Sequence, residues 1–400
     1  MKKILFLGAA EFQTPPIIYA KNKGYQIITC DNQPNNPGHK LANKSYNIST
    51  THKDEILKIA IDNKIDGILT YGSDISTNSV GYIAKKMNLS GAEIQAIKIL
   101  NNKSNFRSFL NKNKLQKHEF STFNHNSSKE INDYLKTVEL PQIIKPTDAS
   151  GSKGVSVIRN LNDAKNKIES AFSESASKTI IIEKFISKKG SQVCGDGWME
   201  NGKLKFVCYG DGHFYNNSKF LAPFGETFPS KHSEKTLLKV SNKLEEILST
   251  IGYINGPFNL DVIIDYQNNP FIIEIGPRNG GNYIPTAIKL KTNVDLITAS
   301  VELALNKDFN LDVSKKTNNS FFACYMINSK EKGIFEKLTI DKLLEKKIVQ
   351  KKIYIKKHQS VLPFNKANNA LGNIILKFKS KTEMNTIFSK IDELITIKLK

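Results

Sequence analysis

The sequence predicts an α/β region at the N-terminus, an α+β middle and a small α+β region at the C-terminus. Three observations carry this. Strand and helix signals alternate through residues 1–100, which implies a parallel, doubly wound sheet. From Pro141 onward, short β-rich runs follow one another with few helices between them, the pattern of antiparallel sheets. Beyond residue 306 charge density rises and glycine thins out, marking a separate terminal unit.

Lys3–Leu7 is a short apolar run and the first strand. Thr14-Pro15-Pro16 supplies an N-cap followed by proline in the first helical turn, and Gly24 stops that helix after Lys23. Tyr25–Thr29 is the second strand, closing at Asp31. Asp54–Lys64 reads as a helix, Gly67–Thr70 as a strand and Ile75–Met87 as a helix. Residues 101–140, rich in Asn, Lys, Ser and Glu, carry a helix around Ser104–Asn111. Strands are expected at Pro141–Ile144, Val155–Ile158 and Thr179–Ile182, with a helix at Asp163–Phe172. Val193–Met199, Leu204–Gly210, Phe258–Ile264 and Phe271–Ile275 are further strands. Residues 233–251 form a helix between them, with Leu237, Leu238, Val240 and Leu244 as its apolar positions. Phe321–Ile327, Lys352–Ile355 and Asn373–Phe378 read as terminal strands, followed by one helix over Lys381–Leu394.

A chain of 400 residues, 39% hydrophobic and 24% charged, is an ordinary multi-domain globular protein. No apolar run approaches the roughly 20 residues a membrane span needs, and the N-terminal run is too short for a signal peptide. Cys30, Cys194, Cys208 and Cys324 show no ligand-like spacing, so we expect reduced thiols in a cytoplasmic protein. The net charge of +20 raises the question of nucleic acid. Only three of the 58 basic residues are arginine, however, and the lysines are spread evenly among Asn and Ile. Base and phosphate readers favour arginine. The pattern fits an AT-rich genome, and neither a nucleic-acid nor a membrane partner is expected.

Four segments carry chemistry. Gly8-Ala9-Ala10-Glu11-Phe12-Gln13 lacks the G-x-G-x-x-G pattern, so Asp31 alone does not make a dinucleotide site. In Ile143-Ile144-Lys145-Pro146 a lysine leaves a buried strand, and Ser150-Gly151-Ser152-Lys153-Gly154-Val155 follows as a flexible loop. Glycines let backbone N–H groups turn onto a polyanion, and Lys145 and Lys153 add point charges. The alternative is a surface hairpin. Glu183-Lys184-Phe185-Ile186 ends a strand as a nucleotide hinge would, with Gln192 in reach of a ribose; the alternative is a solvated strand end. The fourth segment is the strongest. A four-residue loop Tyr266–Asn269 pairs Asp265 with Pro270, and counting back from each puts Asp261 opposite Glu274. Facing carboxylates repel unless a hard cation sits between them, and Mg²⁺ prefers such oxygens. Arg278 follows in a Gly-Pro-Arg-Asn-Gly-Gly loop suited to clamping an anion.

These motifs, in this order over roughly residues 1–305, resemble the ATP-grasp superfamily of carboxylate–amine ligases, in the manner of carbamoyl-phosphate synthase and the purine carboxylases. The resemblance implies a Rossmann-like pre-ATP-grasp domain at 1–100 and an ATP-grasp domain at 101–305. The latter has a lid lobe at about 115–186 and a catalytic lobe at about 187–305. A small C-terminal domain would follow at 306–400. Lys103 matches the first ATP-binding lysine and Lys145 the second. Ser150 to Val155 matches the glycine loop, Glu183 to Ile186 the adenine hinge, and Gln192 the ribose position. Asp261 and Glu274 match the metal carboxylates and Arg278 the transition-state arginine. The family's E-x-N-x-R reads here Glu274-Ile275-Gly276-Pro277-Arg278, so the metal-binding asparagine is absent; Asn259 or Asn279 is the candidate replacement. The implied cofactors are ATP and Mg²⁺, with Mn²⁺ as the alternative. The implied activity is ATP-dependent C–N bond formation through an acylphosphate. The partners are then small carboxylates and amines, with a second copy of the chain in a homodimer as a further expectation. The competing reading is a non-catalytic nucleotide-binding protein of the same fold. His213 and Asn279 are the candidate substrate contacts.

Overall fold

The computed structural model describes residues 1–215, 221–306, 308–314 and 317–400. Lys3–Leu7 lies inside a four-stranded sheet between Gln26–Cys30 and Gly67–Thr70, with Lys44–Tyr46 outermost. All its pairings are parallel. Strand alternation divides the central strand between two cores. Leu5 and Leu7 pack with Ile56 and Ile83 on one face. Ile4 and Phe6 pack with Ile17, Val301 and Ala304 on the other. The last two belong to the helix Leu296–Leu305, so a distant segment completes the N-terminal sheet.

A second four-stranded sheet runs Phe120–Asn124, Thr179–Lys184, Gln142–Pro146, Ser156–Ile158, antiparallel throughout. Ile144, Ile180 and Ile182 bury one face under Ile131, Leu135 and Ala171 of the helices Ser128–Thr137 and Ala164–Ser173. The two-residue period sends Ile143, Lys145, Ile181 and Glu183 to the opposite face.

The third sheet has eight strands: Pro270–Gly276, Gly256–Ile264, Gln192–Glu200, Lys203–His213, Gly225–Phe228, Phe321–Ile327, Gly372–Phe378 and Ile348–Ile353. The helix Glu234–Ile251 packs beneath it through Val240, Leu244, Ile247 and Leu248. Ser233 caps this helix by accepting from the Thr236 N–H at 3.2 Å, and Gly252 ends it at φ 83°. The sheet runs straight through residue 306, so the C-terminal stretch adds strands to the sheet that carries the carboxylates.

The expected terminal helix Lys381–Leu394 is two helices, Lys381–Ser389 and Ile391–Leu394, separated at Lys390. Ile395–Leu399 then leaves as a strand paired with Gly333–Ile340. The β-branched run Ile395-Thr396-Ile397 favours that outcome. All four cysteines are buried free thiols. Among the described residues no helix is long and apolar enough to cross a membrane.

Candidate active site

The polar face of the second sheet and one end of the eight-stranded sheet enclose a cavity of ≈ 270 Å³. Lys103, Lys145, Ser150, Gly151, Ser152, Asp261 and Glu274 are among the residues that line it. Ile143, Val155, Phe185, Ile186, Ile263 and Ile273 give it apolar walls.

The carboxylate pair arises from a compensated register. Asp261 pairs with Glu274, as the sequence predicts, but the hairpin reaches that register differently. Ile264, not Asp265, pairs with Pro270, and a β-bulge between Asp261 and Val262 restores the register. The extra residue puts Ile273 and Glu274 both on the cavity wall. Phe258, Leu260, Val262 and Ile264 meanwhile face the helix core. The bulge leaves carbonyls to satisfy, and Arg107 does so. Its Nη1 donates to Ile272 O at 3.2 Å and its Nη2 to Ile273 O at 2.9 Å. Burial raises the Asp261 carboxyl to about 7, with the Glu274 charge adding to it. Gln192 Nε2 opposes this by donating to Asp261 Oδ1 at 2.6 Å.

Lys103 opens the helix Lys103–Lys112, whose N-cap Asn102 accepts from the Asn105 N–H at 3.0 Å. Lys103 Nζ donates to Ala149 O at 2.7 Å and lies 3.8 Å from Glu274 Oε2. One turn along the same helix, Arg107 Nε meets Glu183 Oε2 at 3.1 Å. Glu183 Oε1 lies 3.3 Å from Lys145 Nζ, and His118 Nε2 stands 3.2 Å from Oε2. Burial alone would raise Glu183, but Arg107, Lys145 and His118 outweigh it and hold the carboxyl well below the usual range. Burial lowers Lys145, and Arg107 and Lys103 add to this; the Glu183 charge offsets part of it.

Gly151, Ser152 and Gly154 adopt positive φ of 68°, 58° and 65°. At Gly154 a Cβ would stand 2.9 Å from Pro146 Cγ, so the loop lies close against the strand that carries Lys145. Ser152 Oγ donates to Leu221 O at 3.1 Å, and both residues line the cavity.

A family model for the ATP-grasp domain matches residues 138–287. That stretch of the chain is an ATP-grasp domain. A formate-dependent phosphoribosylglycinamide formyltransferase from a Nitratiruptor species is 24% identical over 280 residues, 69% of each chain. The L-amino acid ligase from Bacillus licheniformis superposes with a TM-score of 0.83 at 18% identity, covering 100% of this chain and 99% of that one. The phosphoribosylglycinamide synthetase from Anaerococcus prevotii superposes at 0.75 with 20% identity over 100% of both.

Within this ATP-grasp fold several expected residues stand elsewhere than the sequence placed them. The Glu183 side chain is 1% exposed and belongs to the Lys145–Arg107 cluster, so it does not mark a separate adenine end of the cleft. The Lys184 N–H bonds Glu119 O and the Phe185 N–H bonds Pro141 O, at 3.2 Å each. Lys184 is exposed and off the cavity, while Phe185 and Ile186 line it. Gln192 lines the cavity but spends its amide on Asp261. Lys153 lines the adjoining, larger cavity. His213 bonds Thr227 Oγ1 at 2.9 Å and packs on Phe388 at 4.6 Å; neither cavity includes it. Asn279 is fully buried, its Oδ1 accepting from Ser300 Oγ at 2.6 Å, and it too lies off both cavities.

Arg278 lines the larger cavity and is ion-paired there. Its Nη2 donates to Asp74 Oδ2 at 2.6 Å and its Nη1 to Asn279 O at 3.1 Å. This explains the missing asparagine. A Cβ on Gly276 would stand 2.8 Å from Asp74 Oδ1 and 3.0 Å from Arg278 Cζ. The ion pair fills the space an asparagine would need. Asn259, opposite Gly276 in register, lines the cavity, with its Nδ2 held by Gly195 O at 3.0 Å and Asp196 Oδ1 at 2.9 Å.

Sequence reasoning did not assign Arg107, His118, Asp74 or Glu226 to the site. For Arg107 a signal was present: arginine is scarce in this chain. Asp74 and Glu226 enter only through tertiary packing.

Proposed function

We propose that the protein is an ATP-dependent ligase that activates a carboxylate as an acylphosphate and joins it to an amine. The convergence of Lys103, Lys145, the Ser150–Ser152 loop and the Asp261–Glu274 pair on one cavity is the observation that carries this reading. Among the described residues no group of three or more His, Cys, Asp or Glu could hold a metal. Two facing carboxylates suit Mg²⁺, which keeps waters and shares phosphate oxygens rather than occupying an all-protein cage. Asp261 and Glu274 would hold it, and it would supply charge neutralisation at the transferring phosphoryl group.

The chain's residues then have distinct tasks. Lys145 and Lys103 take phosphate oxygens, and Glu183 and Arg107 hold Lys145 in place. Phe185, Ile186, Ile263 and Ile273 pack on the base. The substrate carboxylate oxygen attacks the γ-phosphorus, and the bond to the β-phosphate oxygen breaks, releasing ADP. Arg278 meets the charge that develops there. The amine nitrogen then attacks the acyl carbon, the C–O bond to phosphate breaks, and phosphate leaves carrying the proton the nitrogen sheds. The loop closes over this step and excludes water. The four unpaired thiols support a cytoplasmic location. ADP release measured with pooled carboxylates and amines tests the reading. Lys145→Ala is expected to abolish it and to weaken ATP binding; unchanged ADP release in that variant would contradict it.

A further inference from the structure

A second cavity of ≈ 530 Å³ adjoins the nucleotide cavity through Ser150, Gln192, Phe214, Asp261 and Glu274. It extends towards the loops of the N-terminal sheet, where Ala10, Asn36 and Asp74 form its wall. Its charged side chains are Asp74, Lys153, Glu226, Asp261, Glu274 and Arg278. Four of the six already have tasks: Asp261 and Glu274 form the cation pair, and Asp74 and Arg278 neutralise each other. Lys153 sits in the phosphate loop. Glu226 is left over.

Glu226 is 3% exposed, and its Oε2 has no hydrogen-bond partner among the described residues. Asp74 Oδ1 also lacks a hydrogen-bond partner, but its carboxylate is neutralised by Arg278 through Oδ2, whereas the neighbouring Asp196 and Asp211 are satisfied. Asp196 accepts from the Gly280 N–H at 2.8 Å and Asn259 Nδ2 at 2.9 Å. Asp211 accepts from Ser230 Oγ at 2.6 Å and the Lys231 N–H at 3.0 Å. An orphaned carboxyl oxygen inside a protein is costly unless a ligand donates to it. Most of its other polar side chains are neutral amides, among them Gln33, Asn36, Asn259, Asn282, Asn368 and Asn373. In a chain of net charge +20 this cavity has no excess of cations.

We propose that this cavity is the amine site, that Glu226 receives the N–H groups of the amine, and that the amine carries no phosphate. The inference rests on the ligase reading and narrows its substrate class. A phosphomonoester brings nearly two negative charges and is held by arginine forks or clustered N–H groups. None of the three arginines is left over for it, since Arg278, whose Nε alone is unbonded, is already assigned to the transferring phosphoryl group. Arg107 is paired with Glu183, Arg159 lies over the Phe185 ring at 5.7 Å, and Arg278 is paired with Asp74. Burial pushes the Glu226 carboxyl up to about 8, with Asp261 and Asp196 adding to it, as expected for an acid that lacks its cationic partner. An unphosphorylated amine, such as the amino group of an amino acid, supplies that partner. The relatives named for phosphoribosylglycinamide would then differ from this chain in the amine they accept.

The test is equilibrium binding to the full-length protein with Mg²⁺ and a non-hydrolysable ATP analogue. The probes are the twenty L-amino acids, glycinamide and phosphoribosylglycinamide. At least one unphosphorylated amine is expected to bind, and phosphoribosylglycinamide is not. Glu226→Gln should weaken the amine at least about tenfold, the loss of one charge-assisted contact, while ATP-analogue affinity stays within about threefold. Binding of phosphoribosylglycinamide as tight as the best unphosphorylated amine would overturn the proposal, whatever the variant does. So would the absence of any amine binding, or wild-type amine affinity in a folded Glu226→Gln. ADP release is read separately, in parallel samples that hold ATP and pooled carboxylates in place of the analogue. Amine binding without ADP release would leave the amine site standing and remove the ligase reading.

Discussion

Replacing Glu183 by glutamine tests how the two halves of the nucleotide site are joined. The carboxylate is 1% exposed and lies 3.1 Å from Arg107, 3.2 Å from His118 and 3.3 Å from Lys145. Glutamine keeps the shape but turns an amide N–H₂ towards one of these donors and leaves buried positive charge uncompensated. Removing one partner of a buried ion pair costs about 3–5 kcal/mol. The remaining hydrogen bond to Arg107 argues for the low end, about 3 kcal/mol. At about 2–4 °C per kcal/mol for a unit of this size, the melting transition should fall by roughly 6–12 °C. The sign with pH follows from the direction of the shift. Glu183 is depressed in the folded state, so its contribution is fully present at neutral pH and lost only on acidification through the carboxylate range. Lys145 is already lowered and loses the charge that holds it up, so its proton leaves at lower pH in the variant. ATP affinity should therefore weaken, and the deficit should widen from about pH 7 to about pH 9. Differential scanning calorimetry and ATP titration at both ends of that range measure this. A melting temperature within about 1 °C of wild type, with unchanged ATP affinity, would refute the view that Glu183 neutralises Arg107 and Lys145.

Three further outcomes are expected. Gly276→Ala should push on the Asp74–Arg278 pair, costing about 1–3 kcal/mol and lowering turnover; Gly276→Asn, which recreates the family motif, should not raise activity, and a gain would show that the space is open. Arg278→Lys cannot reproduce both the Asp74 and Asn279 contacts, so turnover should fall about a hundredfold with a modest loss of melting temperature, and steady-state rates near wild type would make the arginine a loop anchor only. Burial and Glu274 raise Asp261 to about 7, so protons compete with the cation below that pH. The apparent Mg²⁺ affinity should drop about fivefold from pH 7 to pH 6, and a flat profile would remove Asp261 from the metal site.

Three of the four strands of the N-terminal sheet, and the helices between them, were legible from local signals such as a buried run, a Pro at a helix start or a Gly at its end; the short edge strand Lys44–Tyr46, largely exposed, carries none. What completes that sheet was not legible either, since Val301 and Ala304 arrive from a remote helix. The Asp261–Glu274 pairing was read correctly through a loop one residue too short, because the bulge after Asp261 compensates. Period-two counting cannot see a bulge. Lys145 and Glu183 were both legible as strand residues, but not their contact, which depends on Arg107 reaching them from another helix. The strand Gly333–Ile340, alternating in burial at the centre of a small three-stranded sheet, was missed, and with it the strand Ile395–Leu399 that it pairs. The Asp74–Arg278 pair joins the first sheet to the last loop of the site, and local sequence does not show it.

The most direct measurement is trapping of the activated carboxylate. Wild-type protein is incubated with Mg·ATP, pooled carboxylates and hydroxylamine, beside a variant carrying Asp261→Asn and Glu274→Gln. The expected result is carboxylate-dependent hydroxamate formed in step with ADP by the wild type and lost in the variant. ADP release without hydroxamate, or equal hydroxamate from both proteins, would contradict acylphosphate chemistry at this site.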